Sequence, residues 1–368
     1  MSLQESKLYM AMELSKKKWK LCFGDGSRER QRTIGSGNQG VLLEEIARAK
    51  EKFGLSQDVE VVSCYEAGRD GFWIHRMLTK HGISNTIVDP ASIEVSRRKR
   101  KSKTDRLDAS RLLCLLLRSK LWGEQKVFAV VRVPSEEEEA EMRIGRERVR
   151  LLKERTGHRT RIRSLLSLHG IEVGTLLRMV VSDLRDWQGE PLREQVRVEI
   201  EREQERLQQV QEQIKVLEAK QVAEVEASIT SATTKAAKLM RLKAVGLQSS
   251  WMLSHECFGW RTFANRKAVG SFAGLTGTPY DSGQSRREQG ISKAGNARVR
   301  SGMIELAWLW VRYQPESQLT QWFMDRYVEN GTSRSKRKGI VALARKLLVA
   351  LWKYVEQDIV PEGAILKV

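Results

Sequence analysis

The chain has 368 residues and carries 65 Lys and Arg against 46 Asp and Glu, a formal net charge of +19. Its 40% hydrophobic content is enough for real cores, and the length suits about two or three domains. The charge favours a polyanionic partner, whereas nothing points to a membrane: no apolar run approaches the ~18 residues that span a bilayer, and no signal-like start is present.

The first elements are short strands. Residues 8–14 are mostly apolar, residues 18–23 alternate like a half-exposed strand, and Arg30–Ile34 follow the turn at Gly24-Asp25-Gly26. Leu42 to Phe53 has helical spacing, and the valine-rich run Val59–Tyr65 suits a strand buried on both faces. A helix from about Gly71 to His81, a strand at Asn85–Asp89 and a helix from about Asp105 to Leu117 complete the region. A meander followed by βα units predicts an α/β domain of RNase H or RuvC-like layout over residues 1–125.

Residues 126–235 change character. Ser135 followed by Glu138 predicts a capping box, and the helix it starts carries nine Lys or Arg between Arg143 and Arg163. A second long helix runs from about Leu192 to Ala227. Its apolar positions Ile200, Leu207, Val210, Ile214 and Leu217 repeat at three and four, with Glu203 interrupting, as in a helical hairpin or short coiled coil. Residues 236–368 read as a mainly helical domain. Helices are expected near Arg298–Tyr313, Ser317–Tyr327 and Lys338–Val355, with a polar, basic loop at Asn330–Lys338.

Four acids stand out in this basic chain. Glu13 and Glu66 end expected neighbouring strands, and Asp105 and Asp108 share one face of a helix start. Carboxylates from separate elements are what a divalent-metal site for phosphodiester chemistry requires. Taken singly, each acid is more readily a surface or ion-paired group; the joint pattern favours metal. The run Arg97, Arg98, Lys99, Arg100, Lys101, with Lys103, would hold a nucleic-acid backbone close. Arg143, Arg146, Arg150, Lys153, Arg159 and Arg163 offer a second contact surface, against the plainer reading of a solvated helix face. The four cysteines (Cys22, Cys64, Cys114, Cys257) are too far apart in sequence for a zinc motif and suit buried thiols in a reducing, cytoplasmic setting.

The segment 274–296 is rich in Gly, Ser and Arg. Ser282 precedes a glycine, and Arg286, Arg287, Lys293, Arg298 and Arg300 follow it. Such cations bind a phosphodiester and stabilise charge at a phosphorus under attack by a serine; Ser285 is nearly as good a candidate. A phosphate-contacting loop without a nucleophile is the simpler alternative, and no histidine lies near to complete a hydrolase triad.

Lys103-Thr104-Asp105-Arg106-Leu107-Asp108-Ala109, Cys64-Tyr65-Glu66-Ala67-Gly68, and Ser282-Gly283 followed by Gly290-Ile291-Ser292-Lys293-Ala294-Gly295-Asn296 give the chain its resemblance to the DEDD-type transposases of bacterial insertion sequences, the bridge-RNA-guided serine recombinases. The likeness covers nearly the whole chain. It implies a RuvC-like domain, a coiled-coil insertion and a C-terminal transposase domain. It further implies Mg2+ on Glu13, Glu66, Asp105 and Asp108, Ser282 as the nucleophile, and a composite site in a homodimer or homotetramer. The implied partners are a structured guide RNA with target and donor DNA, in a bacterial cytoplasmic protein that is nucleoid-associated when active. Two departures stand out: the first acid is Glu13 where the family has aspartate, and Lys243-Ala244-Val245-Gly246-Leu247 lacks the family's proline and second glycine. Two rival readings are a metal-only nuclease or resolvase and a non-catalytic nucleic-acid-binding assembly protein.

Overall fold

The computed structural model describes residues 6–68, 71–93, 105–282, 285–329 and 331–367, without the side chains of 91, 105–107, 279–282 and 285–289. The chain divides into two compact units, Met1–Pro134 and Ser135–Val368.

The first unit is built on a five-stranded sheet. Strands β1 (Leu8–Leu14), β2 (Lys18–Gly24) and β3 (Glu29–Gly35) form the expected antiparallel meander, and β4 (Val61–Glu66) and β5 (Ser84–Val88) add in parallel, in the order β3-β2-β1-β4-β5. Two-residue alternation sorts the side chains between two cores. Met10, Met12, Trp19, Leu21, Phe23 and Tyr65 pack under helix α1 (Gln39–Phe53) and helix α2 (Trp73–Lys80). Tyr9, Ala11, Cys22, Val62 and Cys64 take the other face, under Ala109, Leu112, Leu113 and Leu116 of α3 (Asp105–Lys120). Helix α1 starts at Asn38, whose side chain accepts from the Val41 amide, and stops at Gly54 in a left-handed turn at φ 69°. Burial pushes the Cys22 and Cys64 thiols up to about 12, so both stay protonated and act as small core residues.

The second unit opens with helix α4 (Glu136–Ser167). Ser135 accepts from the Glu138 amide while the Glu138 carboxylate accepts from the Ser135 amide, the predicted box, worth about 1 kcal/mol. Helix α5 (Glu194–Ala227) returns antiparallel, since Ile162 and Leu166 pack with Ile200 and Leu207 while Leu151 packs with Val210 and Ile214. Glu203, expected as an interruption, is buried in the seam and accepts from Arg161 and Arg206 beside His158 Nδ1 at 2.6 Å. Burial alone would raise its pKa; these partners prevail and lower it to about 2.

The rest is helical around a core of Leu253, Phe258, Val299, Met303, Trp310, Phe323 and Leu347: α6 (Ser231–Met240), α7 (Leu247–Leu253), α8 (Arg266–Phe272), α9 (Ala297–Tyr313), α10 (Gln318–Met324) and α11 (Ser333–Gln357). A π turn at Ser254–Phe258 follows α7 and another at Asp325–Glu329 follows α10. Two features differ from expectation. Segment 274–296, where a phosphate-contacting loop was the simpler of two readings, contains a hairpin, β6 (Gly277–Ser282) with β7 (Ser285–Ile291). The basic stretch expected as a loop up to Lys338 is helical from Ser333, because Thr332 accepts from the Ser335 amide and starts α11 five residues early. No helix among the described residues is long and apolar enough to cross a membrane.

Candidate functional site

In the first unit the strand alternation decides where the acids go. Glu13 shares parity with Tyr9 and Ala11, and Glu66 with Val62 and Cys64, so both occupy the sheet face that α3 covers. The β1–β4 register aligns Met12 with Tyr65, which places Glu13 and Glu66 side by side where the two parallel strands end. Lys20 lies opposite Glu13 on β2.

Helix α3 runs against these strands. Leu113 lies beside Gly24, which pairs with Tyr9 at the far end of β1, and Leu121 lies beside Gly26. The start of α3 therefore lies toward the strand ends that carry Glu13 and Glu66. Asp105 is its first residue, and half-buried Asp108 sits one turn ahead of Leu112. All four acids are thus assigned by topology to one end of the sheet. The Asp105 side chain lies outside the described residues, and among the described residues no three Asp, Glu, His or Cys side chains gather closely enough to hold an ion. The basic run Arg97, Arg98, Lys99, Arg100, Lys101 and Lys103 also lies outside them.

In the second unit Ser282 is the last residue of β6 and pairs with Ser285 on β7. Their side chains, with those of Arg286 and Arg287, are not among those described. The hairpin's foot is described fully, and it explains the glycine-rich motif. Gly274 has φ +64°, and a Cβ there would run into the Ala294 carbonyl; Gly295 has φ +110°, and a Cβ there would meet the Phe272 carbonyl. The Lys293 amide donates to Gly274 O at 3.1 Å and the Ser292 amide to Thr276 O at 2.9 Å. Arg300 Nη1 donates to both Ala273 O and Lys293 O, joining the two legs of the hairpin. The expected phosphate cations whose side chains are described therefore differ in kind: Arg300 is tied to the backbone, while Lys293 and Arg298 are exposed.

Asn296 ends the motif and does three things. Its amide donates to Phe272 O at 2.7 Å, its side-chain oxygen caps α9 at Arg298 and Val299, and its Nδ2 donates to Glu256 at 3.3 Å. Glu256 is buried in the first π turn and receives Arg146 of α4 through Nε at 2.7 Å and Nη2 at 2.9 Å. Burial would raise the Glu256 carboxyl, but Arg146, with Asn296 and Arg298, outweighs it and holds the group below the usual carboxylate range. This Arg146–Glu256–Asn296 chain fixes the hairpin's foot to α4. Sequence reasoning missed Glu256; the available signal was an acid, beside Ser254 and His255, between the apolar residues Trp251–Leu253 and Cys257–Phe258.

The cations expected to line α4 divide similarly. Arg146 binds Glu256, and Arg148 and Arg161 bind Glu218 and Glu203. Arg143, Arg150, Lys153, Arg159 and Arg163 are exposed. The α4–α5 stretch as a whole, residues 136–227, holds 17 Lys and Arg against 20 Asp and Glu, so it is net acidic and the rest of the chain carries net +22.

Residues 236–321, which contain the hairpin and its foot, match the family described as Transposase IS116/IS110/IS902 family. A protein of Sinorhizobium fredii named "Putative transposase y4rJ" is 40% identical over 376 residues, covering 98% of this chain and 94% of that one. A second from the same organism, "Putative transposase y4qE", is 27% identical over 257 residues, covering 69% of this chain and 60% of that one.

Proposed function

This chain belongs to the IS116/IS110/IS902 family of transposases, and from that premise we propose that it cuts and rejoins DNA through a serine nucleophile assisted by a carboxylate metal site. Membership carries the general activity, transposition of an insertion sequence. The residue roles are our reading. The observation that carries them is the convergence of Glu13 and Glu66 at adjacent strand ends, on the face where α3 begins with Asp105 and Asp108. The strand order, three antiparallel then two parallel, supports an RNase H or RuvC-like reading of the first unit.

Hard carboxylate oxygens suit Mg2+, which when bound would neutralise phosphate charge and polarise the scissile phosphodiester. Glu13, Glu66, Asp105 and Asp108 would hold it, the longer Glu13 reaching from where an aspartate would stand. The Ser282 oxygen, at the tip of a hairpin whose foot is fixed in four places, would form a bond to phosphorus as the bond to a deoxyribose oxygen breaks. The serine proton would leave and the departing oxygen would take one up. Exposed Lys293 and Arg298 would bind the phosphate. Guidance by a structured RNA, with target and donor DNA read by base pairing, rests on the family resemblance of the motifs, as does action as a homodimer or homotetramer.

Trapping tests the reading. With Mg2+ and its DNA, the unaltered chain should give a protein–DNA adduct that survives denaturant. Ser282→Ala should abolish it, and Asp105→Asn with Asp108→Asn should reduce strand exchange by roughly a thousandfold or more. An adduct that persists in Ser282→Ala removes the serine from the mechanism. Loss of the adduct with full cleavage retained would favour a metal-only nuclease. A discrete RNA copurifying with the chain, whose alteration redirects the product, tests the guide.

A further inference from the structure

Glu256 is a charge set where packing alone does not call for one. It is buried, and its partner Arg146 is half-buried. Replacing both members of such a pair by apolar side chains of similar volume often leaves stability unchanged or higher, because desolvation offsets most of the attraction. The backbone around it is irregular as well. After α7 the helix widens into the π turn Ser254–Phe258, with Glu256 at its middle, and single π turns are frequent at functional sites. Stability by itself gives no reason for this charge in this turn; geometry at the hairpin's foot does.

Asn296 carries the effect of Glu256 to the foot. Because Glu256 takes the Nδ2 end of the Asn296 amide, the Oδ1 end is left facing the first amides of α9. Arg298 lies in the turn so capped, close enough to Glu256 for its charge to favour the carboxylate. On the other side of Asn296, Lys293 has φ +57°, in the left-handed region that side chains with a Cβ rarely adopt. Its amide donates to Gly274 O and its own carbonyl accepts from Arg300. Strain of this kind persists only where surrounding contacts over-determine it, and it gathers where a side chain must be aimed. The two exposed cations of the foot, Lys293 and Arg298, therefore flank the residue that Glu256 holds.

We propose that Glu256, clamped by Arg146, is a positioning residue for strand cleavage: through Asn296 it fixes Lys293 and Arg298 against the phosphate that Ser282 attacks, and it ties that geometry to α4. The proposal rests on the serine reading above. Arg146, expected from the sequence as a nucleic-acid contact, acts from inside the fold instead. Neither member of the pair touches DNA in this assignment, so their effect falls on the rate of reaction and not on binding.

The test uses the full chain with Mg2+, any RNA that copurifies, and a labelled duplex bearing an end of its own element, in single turnover. The protein–DNA adduct is scored by its rate constant and its final amount, and duplex affinity by anisotropy. A merely structural residue changes how many molecules are competent, not how fast each competent one reacts. Arg146→Lys, which keeps the charge but not the paired donors, and Glu256→Gln, which keeps the shape, should each slow the rate constant about ten- to a hundredfold. Final amount and affinity should stay within about twofold of the unaltered chain. Arg148→Gln, on α4 but joined to Glu218, should leave the rate unchanged. Lys293→Gly serves if the first two variants fold poorly: its melting temperature should hold or rise as the left-handed strain is relieved, yet it should react about tenfold more slowly or worse. A smaller final amount at unchanged rate, a weakened affinity that accounts for the loss, an equal slowing by Arg148→Gln, or full rate in Lys293→Gly overturns the proposal. An adduct that persists in Ser282→Ala overturns the serine reading instead. Its loss there, with full rate in Arg146→Lys and Glu256→Gln, overturns this proposal alone.

Discussion

Arg146 meets Glu256 through two nitrogens while Asn296 supplies a third donor, and this small polar junction holds the hairpin's foot. Removing the carboxylate strands a half-buried guanidinium, so Glu256→Ala should cost about 2–4 kcal/mol in a denaturant titration. Glu256→Gln, which keeps an acceptor, should cost less. Its neighbour His255 is buried, stacked on Trp251 at 3.8 Å, with Nδ1 3.0 Å from the Trp251 carbonyl. Burial lowers its pKa to about 4, below the ordinary value of 6.5, so the fold favours the neutral ring. Stability from this preference is full above pH 6.5 and is lost as pH falls toward 4, at most about 3 kcal/mol. Melting temperatures of His255→Gln should therefore fall less steeply than those of the unaltered chain across that window; parallel curves would remove His255 as the cause.

Helix α4 and its partner show how differently two elements can be read from sequence. The Ser135–Glu138 box was legible because its signal is local, and the apolar repeat along α5 named the buried Ile200, Leu207, Val210 and Ile214. The two misread elements lack such signals. Ser-Arg-Ser-Lys-Arg-Lys has no apolar period, and only the Thr332 cap reveals that α11 has begun. The β6–β7 hairpin has no alternating apolar face, because its order comes from its foot, through carbonyl contacts that only Gly274 and Gly295 permit. Glu13 and Glu66 were legible as strand-end acids, whereas Glu256 depends on partners 110 and 40 residues away. At this scale Gly274→Ala should cost more than about 2 kcal/mol, from left-handed backbone and the Ala294 clash together. The drop should appear in thermal melts; a neutral result would mean the foot gives way easily. Glu203→Ala should also destabilise, by about 1–2 kcal/mol, since it leaves His158 in the seam without its partner while exposed Arg161 and Arg206 turn to water.

At the scale of the whole molecule, the chain folds as two units with separate cores, the first closing at Pro134. A fragment of residues 1–134 should melt cooperatively by circular dichroism; a gradual melt would show that its core is insufficient alone. Charge is divided unevenly as well. The α4–α5 stretch is net acidic, and the cations outside it account for the excess. Its distal turn is well made: the Asp186 side chain accepts from the Gln188 and Glu190 amides, and the Trp187 amide donates to His169 O, leaving Trp187 75% exposed. From Ile144, packed near Trp251, to the end of α4 at Ser167 the helix extends about 35 Å. A dye or affinity handle joined at Gln188 would ride on a rigid mast at that distance from the helical core of its unit, reporting rotation of the mast without crowding the hairpin.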